Sequence, residues 1–160
     1  MIVNIDGGSR GNPGPAGYGV RFADADGSVV AELSEAIGVA TNNVAEYRGL
    51  LAALRYALDH GITNLTVRSD SLLLVCQMRG EYKVKNPGLQ TLHAEARRLV
   101  WQLGRVRFEH VRREFNTHAD RLANDAMDSQ ASEGGRQEAG SVSRARTNGR
   151  QEPDDDTLLR

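Results

Sequence analysis

Four carboxylates stand at places where chain direction changes: Asp6, Glu46, Asp70 and Asp120. Asp6 follows the apolar run Ile2-Val3-Asn4-Ile5, and Asp70 follows Leu65-Thr66-Val67. Glu46 falls near the start of an apolar period over Val44, Tyr47, Leu51, Leu54 and Leu58. Asp120 falls near the start of another, over Ala119, Leu122, Ala123 and Ala126. Taken singly, each has a simple reading. Glu46 and Asp120 complement helix N-termini, a contribution of about 0.3–1 kcal/mol each, and Asp6 and Asp70 are turn or cap residues. Taken together they suggest a cluster, because sites in open α/β sheets form at the carboxyl ends of adjacent parallel strands.

Clustered carboxylates repel unless a cation offsets them, and hard oxygen donors suit Mg²⁺ or Mn²⁺. Two such ions held about 3.5–4 Å apart serve phosphodiester cleavage. Nothing competes for zinc, since His60, His93, His110 and His118 lack a CxxC or HxxxH partner.

The elements that must position these acids are legible in outline. The strand Met1–Asp6, the turn-rich Gly7–Pro15 and the extended Gly17–Ala23 come first. Asp26-Gly27 then marks a hairpin between Tyr18–Phe22 and Val29–Leu33. Asn42-Asn43 supplies an N-cap, with Glu46 placed as in a capping box. A strand over Leu65–Val67, a helix over Ser71–Met78 and an amphipathic helix from about Gly88 to Leu103 follow. A strand over Val106–Val111 and a helix over Thr117–Met127 complete the pattern. The order βββαβααβα predicts an α/β domain with a mixed sheet and parallel crossovers. Leu99 and Trp101 are expected beneath the sheet.

The 160 residues suffice for one domain. The composition, 39% hydrophobic and 26% charged, excludes a wholly disordered or fibrous chain. No apolar run is long enough to span a bilayer, and the start, MIVNIDGG, has no secretory pattern. The lone Cys76 fits a reducing cytoplasm and is expected in the core. Residues 129–160 hold six apolar residues and no aromatic, so a disordered polar tail or linker is expected there, after a domain over 1–128. That domain has 15 basic and 15 acidic residues; without the four site acids it is modestly basic, as suits a polyanionic substrate.

The stretches IDGGSRGNPGPAGYG (5–19), TNNVAEYRGLLAAL (41–54), RSDSLLLVCQM (68–78) and HVRREFNTHADRLANDAM (110–127) together resemble ribonuclease H of type 1. The resemblance covers essentially all of 1–128. It implies an RNase H-like fold, a five-stranded mixed sheet flanked by helices, and endonucleolytic hydrolysis of the RNA strand of RNA–DNA hybrids with two Mg²⁺ or Mn²⁺ ions. It carries catalytic and metal-holding roles onto Asp6, Glu46, Asp70 and Asp120. Asp6 would bridge both metals, Glu46 and Asp70 would hold one and orient water, and Asp120 would hold the other. It also carries hybrid contacts onto Gly11, Asn12, Asn42 and Asn43, which match positions reading sugars and base edges, and a DNA-phosphate pocket onto Thr41 and Asn86. For Asn42-Asn43 helix capping is an alternative that can coexist, and for Gly11-Asn12 a plain turn. Arg10, Lys83, Lys85, Arg112 and Arg113 are candidates for backbone contacts.

Departures from the family pattern qualify the expectation. Met78–Gly88 is too short for the basic protrusion of some bacterial members, so the basic handle is missing. Glu114 stands where many members place a mobile His, with His118 nearby, and Leu72 replaces an often polar residue. Some members carry a separate hybrid-binding domain at the N-terminus, whereas this sequence opens on the first strand. Others fuse the domain through a linker, resembling 129–160 in composition, to a phosphatase-like domain. Competing readings are a catalytically weak hybrid- or double-stranded-RNA-binding module, which the intact acid set opposes, and a DNA nuclease or strand transferase on the same fold. Activity on RNA–RNA duplexes stays open. A monomer without an obligatory protein partner is expected, because the core uses the apolar stripes.

Overall fold

The computed structural model describes residues 1–136, with side chains through Gln130. Its strands are β1 (Ile2–Ser9), β2 (Gly14–Ala23), β3 (Val29–Ala40), β4 (Asn64–Ser69) and β5 (Arg105–His110). Its helices are α1 (Asn42–Asp59), α2 (Leu72–Met78), α3 (Pro87–Leu103) and α4 (Thr117–Arg136), with a 3₁₀ turn at Arg113–Phe115 before α4. The order is the βββαβααβα expected from the sequence. The five strands form one sheet in the order β3-β2-β1-β4-β5. The first three make an antiparallel meander, while β4 runs parallel to β1 and β5 parallel to β4.

Successive residues of a strand face opposite sides of a sheet, and β2 shows what covers each side. Tyr18 lies against Gly49 of α1, whereas a Cβ on Gly19 would lie 2.4 Å from the Ala119 carbonyl oxygen and 2.5 Å from Leu122 Cβ of α4. So α1 covers one face, with α3 packed on it, and α4 covers the other. Between the sheet and α1 sits the main core, including Val3, Ile5, Val20, Phe22, Leu50, Leu54 and Val67. The Phe22 and Tyr56 rings pack 4.8 Å apart within this layer.

Several boundaries differ from the sequence expectation. β1 runs past Asp6 to Ser9 and β2 begins at Gly14, so much of the glycine-rich stretch is strand. Glycine inside a strand marks a close backbone approach as often as a turn, and that is its use here. β3 continues to Ala40 rather than ending at Leu33; its outer part is an edge with a weak alternation of apolar residues. There α4 supports it, through Ser34 Oγ donating to the Leu122 carbonyl (2.6 Å) and Gly38 N donating to Gln130 Oε1 (2.9 Å). α4 itself continues beyond Met127 to Arg136. The tail expected over 129–160 thus begins as helix, and its remainder, 137–160, lies outside the described residues.

α3 corrects another expectation. Asn86 caps it by accepting from Gly88 N (2.8 Å), Pro87 opens it, and Gly104 at φ 96° closes it. Its buried residues are Leu89, Ala96, Leu99 and Leu103. Leu99 is in the core as expected, but Trp101 is 86% exposed. Two positions along a helix turn through about 200°, which carries Trp101 to the far face when Leu99 points inward. Accordingly Leu99→Ala should cost about 2–5 kcal/mol of unfolding free energy. Trp101→Ala should change it by no more than about 0.5 kcal/mol. Urea denaturation of the two variants tests the assignment, and equal losses would contradict it.

Candidate active site

β1 and β4 are side by side, and their parallel ladder ends at Ile5 opposite Ser69. Asp6 is the next residue on β1, still paired with Gly19 of β2, and Asp70 is the next after β4. The adjacency expected from the sequence is therefore present, although Asp6 lies within its strand rather than at its end. The turn carrying Asp70 is pinned on both sides. Ser71 N donates to Ser69 Oγ (3.0 Å), and Ser71 Oγ accepts from Leu74 N (3.3 Å), capping α2.

Glu46 reaches the same place from α1. A Cβ on Gly7 would lie 2.4 Å from the Ala45 carbonyl carbon and 2.5 Å from Glu46 N, so only glycine lets the helix backbone lie directly on β1. Glu46 is 3% exposed as a result. Asp6, Glu46 and Asp70 each offer a carboxylate oxygen, and those atoms lie within 4.8 Å of one another. Asp120, in the first turn of α4, joins Asp6 and Asp70 in lining a polar cleft with Asn42, Arg113 and Asn124.

Burial is the main cause that pushes the Asp6 carboxyl up to about 9, from an ordinary 3.8. The charges of Asp70 and then Glu46 add to it, followed by a hydrogen bond with Asp120. Gly7 N donates to Asp6 Oδ1 (2.9 Å), which is too little to offset those effects. Arg113 Nε stands 3.9 Å from Asp70 Oδ2, and its side chain is largely exposed. An exposed pair of that length contributes little. The arrangement is an all-oxygen, acidic pocket with room for a hard divalent cation, and its donor set fits Mg²⁺ or Mn²⁺ rather than zinc.

The residues expected to contact substrate divide into two groups. Asn42 Oδ1 accepts from Ser9 N (2.8 Å) and Ser9 Oγ (3.1 Å), and Asn42 N donates to Asn12 Oδ1 (3.0 Å). Asn12 and Asn42 are thus joined at the rim of the cleft, with Gly11 exposed beside them at φ 92°. Asn43, by contrast, is buried. It is not the N-cap either. Thr41, in extended conformation, caps α1 by accepting from Val44 N (3.1 Å), which places Glu46 beyond the first turn and removes the expected capping box. Thr41 and Asn86 both use their side-chain oxygens as helix caps.

Arg10 pairs with Asp128 at 2.5 Å, while Lys83, Lys85 and Arg112 are exposed. Glu114 and His118 are exposed too, and neither lines the cleft. Cys76 is buried, its thiol pushed up by burial first and then by a hydrogen bond with Glu81, as suits a core residue. Sequence reasoning passed over Asn116 and Asn124. Asn124 lines the cleft, and buried Asn116 joins β1 to the start of α4. An asparagine four residues before a first-turn acid was the available signal.

The folded-state value for Asp6 lies above its unfolded value, so the native chain holds that proton more tightly. The associated stability is complete below about pH 4 and is lost as pH rises through about 9. Asp6→Asn should therefore be more stable than wild type in chelator, by a margin that widens with pH across that window. Adding Mn²⁺ should raise the wild-type Tm and leave Asp6→Asn nearly unmoved. Thermal melts at pH 5, 7 and 8.5 measure both, and a margin that narrows with pH would contradict the assignment.

Comparison with known proteins agrees with this fold. A family described as reverse transcriptase-like matches residues 4–126. The bifunctional protein Rv2228c of Mycobacterium tuberculosis is 55% identical over 132 residues, which are 82% of this chain but 36% of that protein. The chain thus spans about a third of the length of this curated relative. The solved N-terminal RNase H domain of the same mycobacterial protein is 54% identical with a TM-score of 0.78, over 83% of this chain and 98% of that one. LC11-RNase H1, solved in complex with an RNA/DNA hybrid, is 42% identical with a TM-score of 0.79, over 81% and 98% of the two chains. By its strand order, its acids and these likenesses, the chain belongs to the ribonuclease H family, type 1.

Proposed function

We propose that the chain is an endoribonuclease that hydrolyses the RNA strand of RNA–DNA hybrids with divalent metal ions. The observation that carries this reading is the convergence of Asp6, Glu46 and Asp70 within 4.8 Å, with Asp6 buried among like charges. Such a group is costly without a cation and well matched to one. Family membership then selects phosphodiester hydrolysis among the reactions a divalent ion can serve.

In this reading Asp6, Glu46 and Asp70 would hold one Mg²⁺ or Mn²⁺ ion, and Asp6 with Asp120 would hold a second. Ions bound there would supply an activated water and stabilise the leaving oxygen. Glu46 and Asp70 would orient such a water, and the burial of Glu46 keeps bulk solvent from competing for its oxygens. The joined Asn12 and Asn42, with Gly11, present amide and main-chain groups toward the sugars of the RNA strand, whose 2′-hydroxyl distinguishes it from DNA. Asn43 is buried, which argues against a direct contact with the hybrid in this reading. Thr41 and Asn86 would receive a DNA-strand phosphate through their remaining donors and adjacent main chain, while Arg113, Arg112, Lys83 and Lys85 meet other phosphates.

The four acids come from one chain, which supports a monomer as the catalytic unit. The free, buried Cys76 supports a reducing, cytoplasmic setting. No helix among the described residues is long and apolar enough to cross a membrane. Residues 1–128 form the catalytic unit in this reading.

The test is cleavage of a labelled RNA–DNA hybrid with Mg²⁺ or Mn²⁺, beside DNA duplex, RNA duplex and single-stranded RNA. Wild type should cut the RNA strand of the hybrid only when metal is present. Asp70→Asn should lose about 10³-fold or more in rate while still binding the hybrid. Binding without cleavage by wild type, under either metal, would replace the enzyme by a binding module.

A further inference from the structure

Asn116 lies between the 3₁₀ turn and α4, and its side chain is among the most completely buried polar groups of the molecule at 1% exposure. Both ends of its amide are engaged. Nδ2 donates to the Ile5 carbonyl (2.9 Å), and Oδ1 accepts from Asn4 Nδ2 (3.0 Å). Its main chain is engaged as well: Asn116 N donates to the Arg113 carbonyl (2.9 Å), and its own carbonyl accepts from Asp120 N (3.1 Å). One residue therefore ties together the middle of β1, the turn carrying Arg113 and the first turn of α4.

The point of attachment on β1 matters. Ile5 is the last β1 residue paired with β4, and Asp6 follows it. Asp6, Glu46 and Asp70 are carried by β1, α1 and the turn after β4. Asp120 alone arrives on α4, which lies across the sheet from α1, so its distance from Asp6 depends on where α4 begins. The Asn116 amide sets that starting point against the residue next to Asp6, and the Asn116 carbonyl holds the Asp120 backbone within the same turn.

We infer that Asn116, supported by Asn4, is a positioning residue that acts through Asp120, setting the second cation position against Asp6. The inference rests on the proposed metal site. It does not make Asn116 a ligand, because both side-chain atoms are committed to β1. Removing the amide should leave the Asp6–Glu46–Asp70 position intact and loosen the one that includes Asp120. Loss of a group that orients a metal ligand commonly costs 10–100-fold in metal affinity or activity.

The experiment compares wild type, Asn116→Ala, Asn4→Ala, Asp120→Asn and the double variant Asn116→Ala/Asp120→Asn. Mn²⁺ binding by calorimetry is measured beside kcat and KM on the hybrid, with circular dichroism and melting to establish folding. Asn116→Ala should weaken the lower-affinity Mn²⁺ site by about 10–100-fold and leave the tighter site within about twofold. Its kcat should fall by a similar factor with KM little changed, and more metal should be needed for half-maximal rate. Asn4→Ala, which keeps the bond to Ile5, should move in the same direction by less. The double variant should bind Mn²⁺ no more weakly than Asp120→Asn alone.

Unaltered Mn²⁺ sites in folded Asn116→Ala, equal weakening of both sites, or a loss confined to KM would each overturn the inference. Should Asn116→Ala fail to fold, Asn4→Ala decides by the same readouts. A wild type that binds Mn²⁺ but cleaves no hybrid would sink the proposed activity, while the calorimetry would still judge the positioning role.

Discussion

Asp6 is held among Asp70, Glu46 and Asp120 where the ladder between β1 and β4 ends, and the like charges of that group govern the structure around it. Bringing carboxylates this close and burying them opposes folding, since both burial and mutual repulsion disfavour the ionised forms. Arg113 stands at the rim of the cleft, too exposed to offset that repulsion. What holds the group together is the rest of the domain: a five-stranded sheet, one helical layer on each face and a continuous apolar core. The site is thus destabilised locally, as is common at functional sites, and in the proposed reading a bound cation would relieve that cost.

Close backbone approach is the second constraint, and it explains the glycines of the first two strands. Gly7 admits the α1 backbone and with it Glu46; Gly19 admits α4 and with it the turn that carries Asp120. A methyl group at either position would meet backbone atoms, which cannot step aside as a flexible side chain can. The two helices are thus set against neighbouring strands at contact distance, one from each face. The acids they carry are brought to Asp6 by main-chain geometry, with little dependence on side-chain reach. Rigid elements of this kind hold a site more closely than loops do.

The rim of the cleft follows from the same packing. Asn42 begins α1, and its side chain holds the β1 end through Ser9 while its main chain takes Asn12. Helix start, strand end and glycine-rich turn are therefore one hydrogen-bonded unit beside the acids. Asn116 plays the matching part on the opposite face, where it fastens α4 to Ile5 and Asn4. In both places an asparagine suits the task, because its amide donates and accepts at once.

Read alone, the sequence determined which acids belong together, the order of the elements and the buried face of α4. Those features are local: strand patterns, helical periods and turn residues depend on neighbours a few positions away. Asp6, Glu46, Asp70 and Asp120 could be picked out because each follows or opens an apolar run in the sequence, although folding then placed Asp6 inside β1 and Glu46 beyond the first turn of α1. The tertiary structure decided what depends on distant partners. It made strand of the glycine-rich stretch after Asp6, because helix backbones lie against it. It chose Thr41 over Asn43 as the cap of α1, since only one of several oxygens nearby has the extended backbone that a cap requires. It turned Trp101 outward, because the buried stripe of α3 was already set by Leu89, Ala96, Leu99 and Leu103. And it gave Asn116 a role no local pattern carries, since the atoms it binds belong to residues more than a hundred positions earlier in the chain.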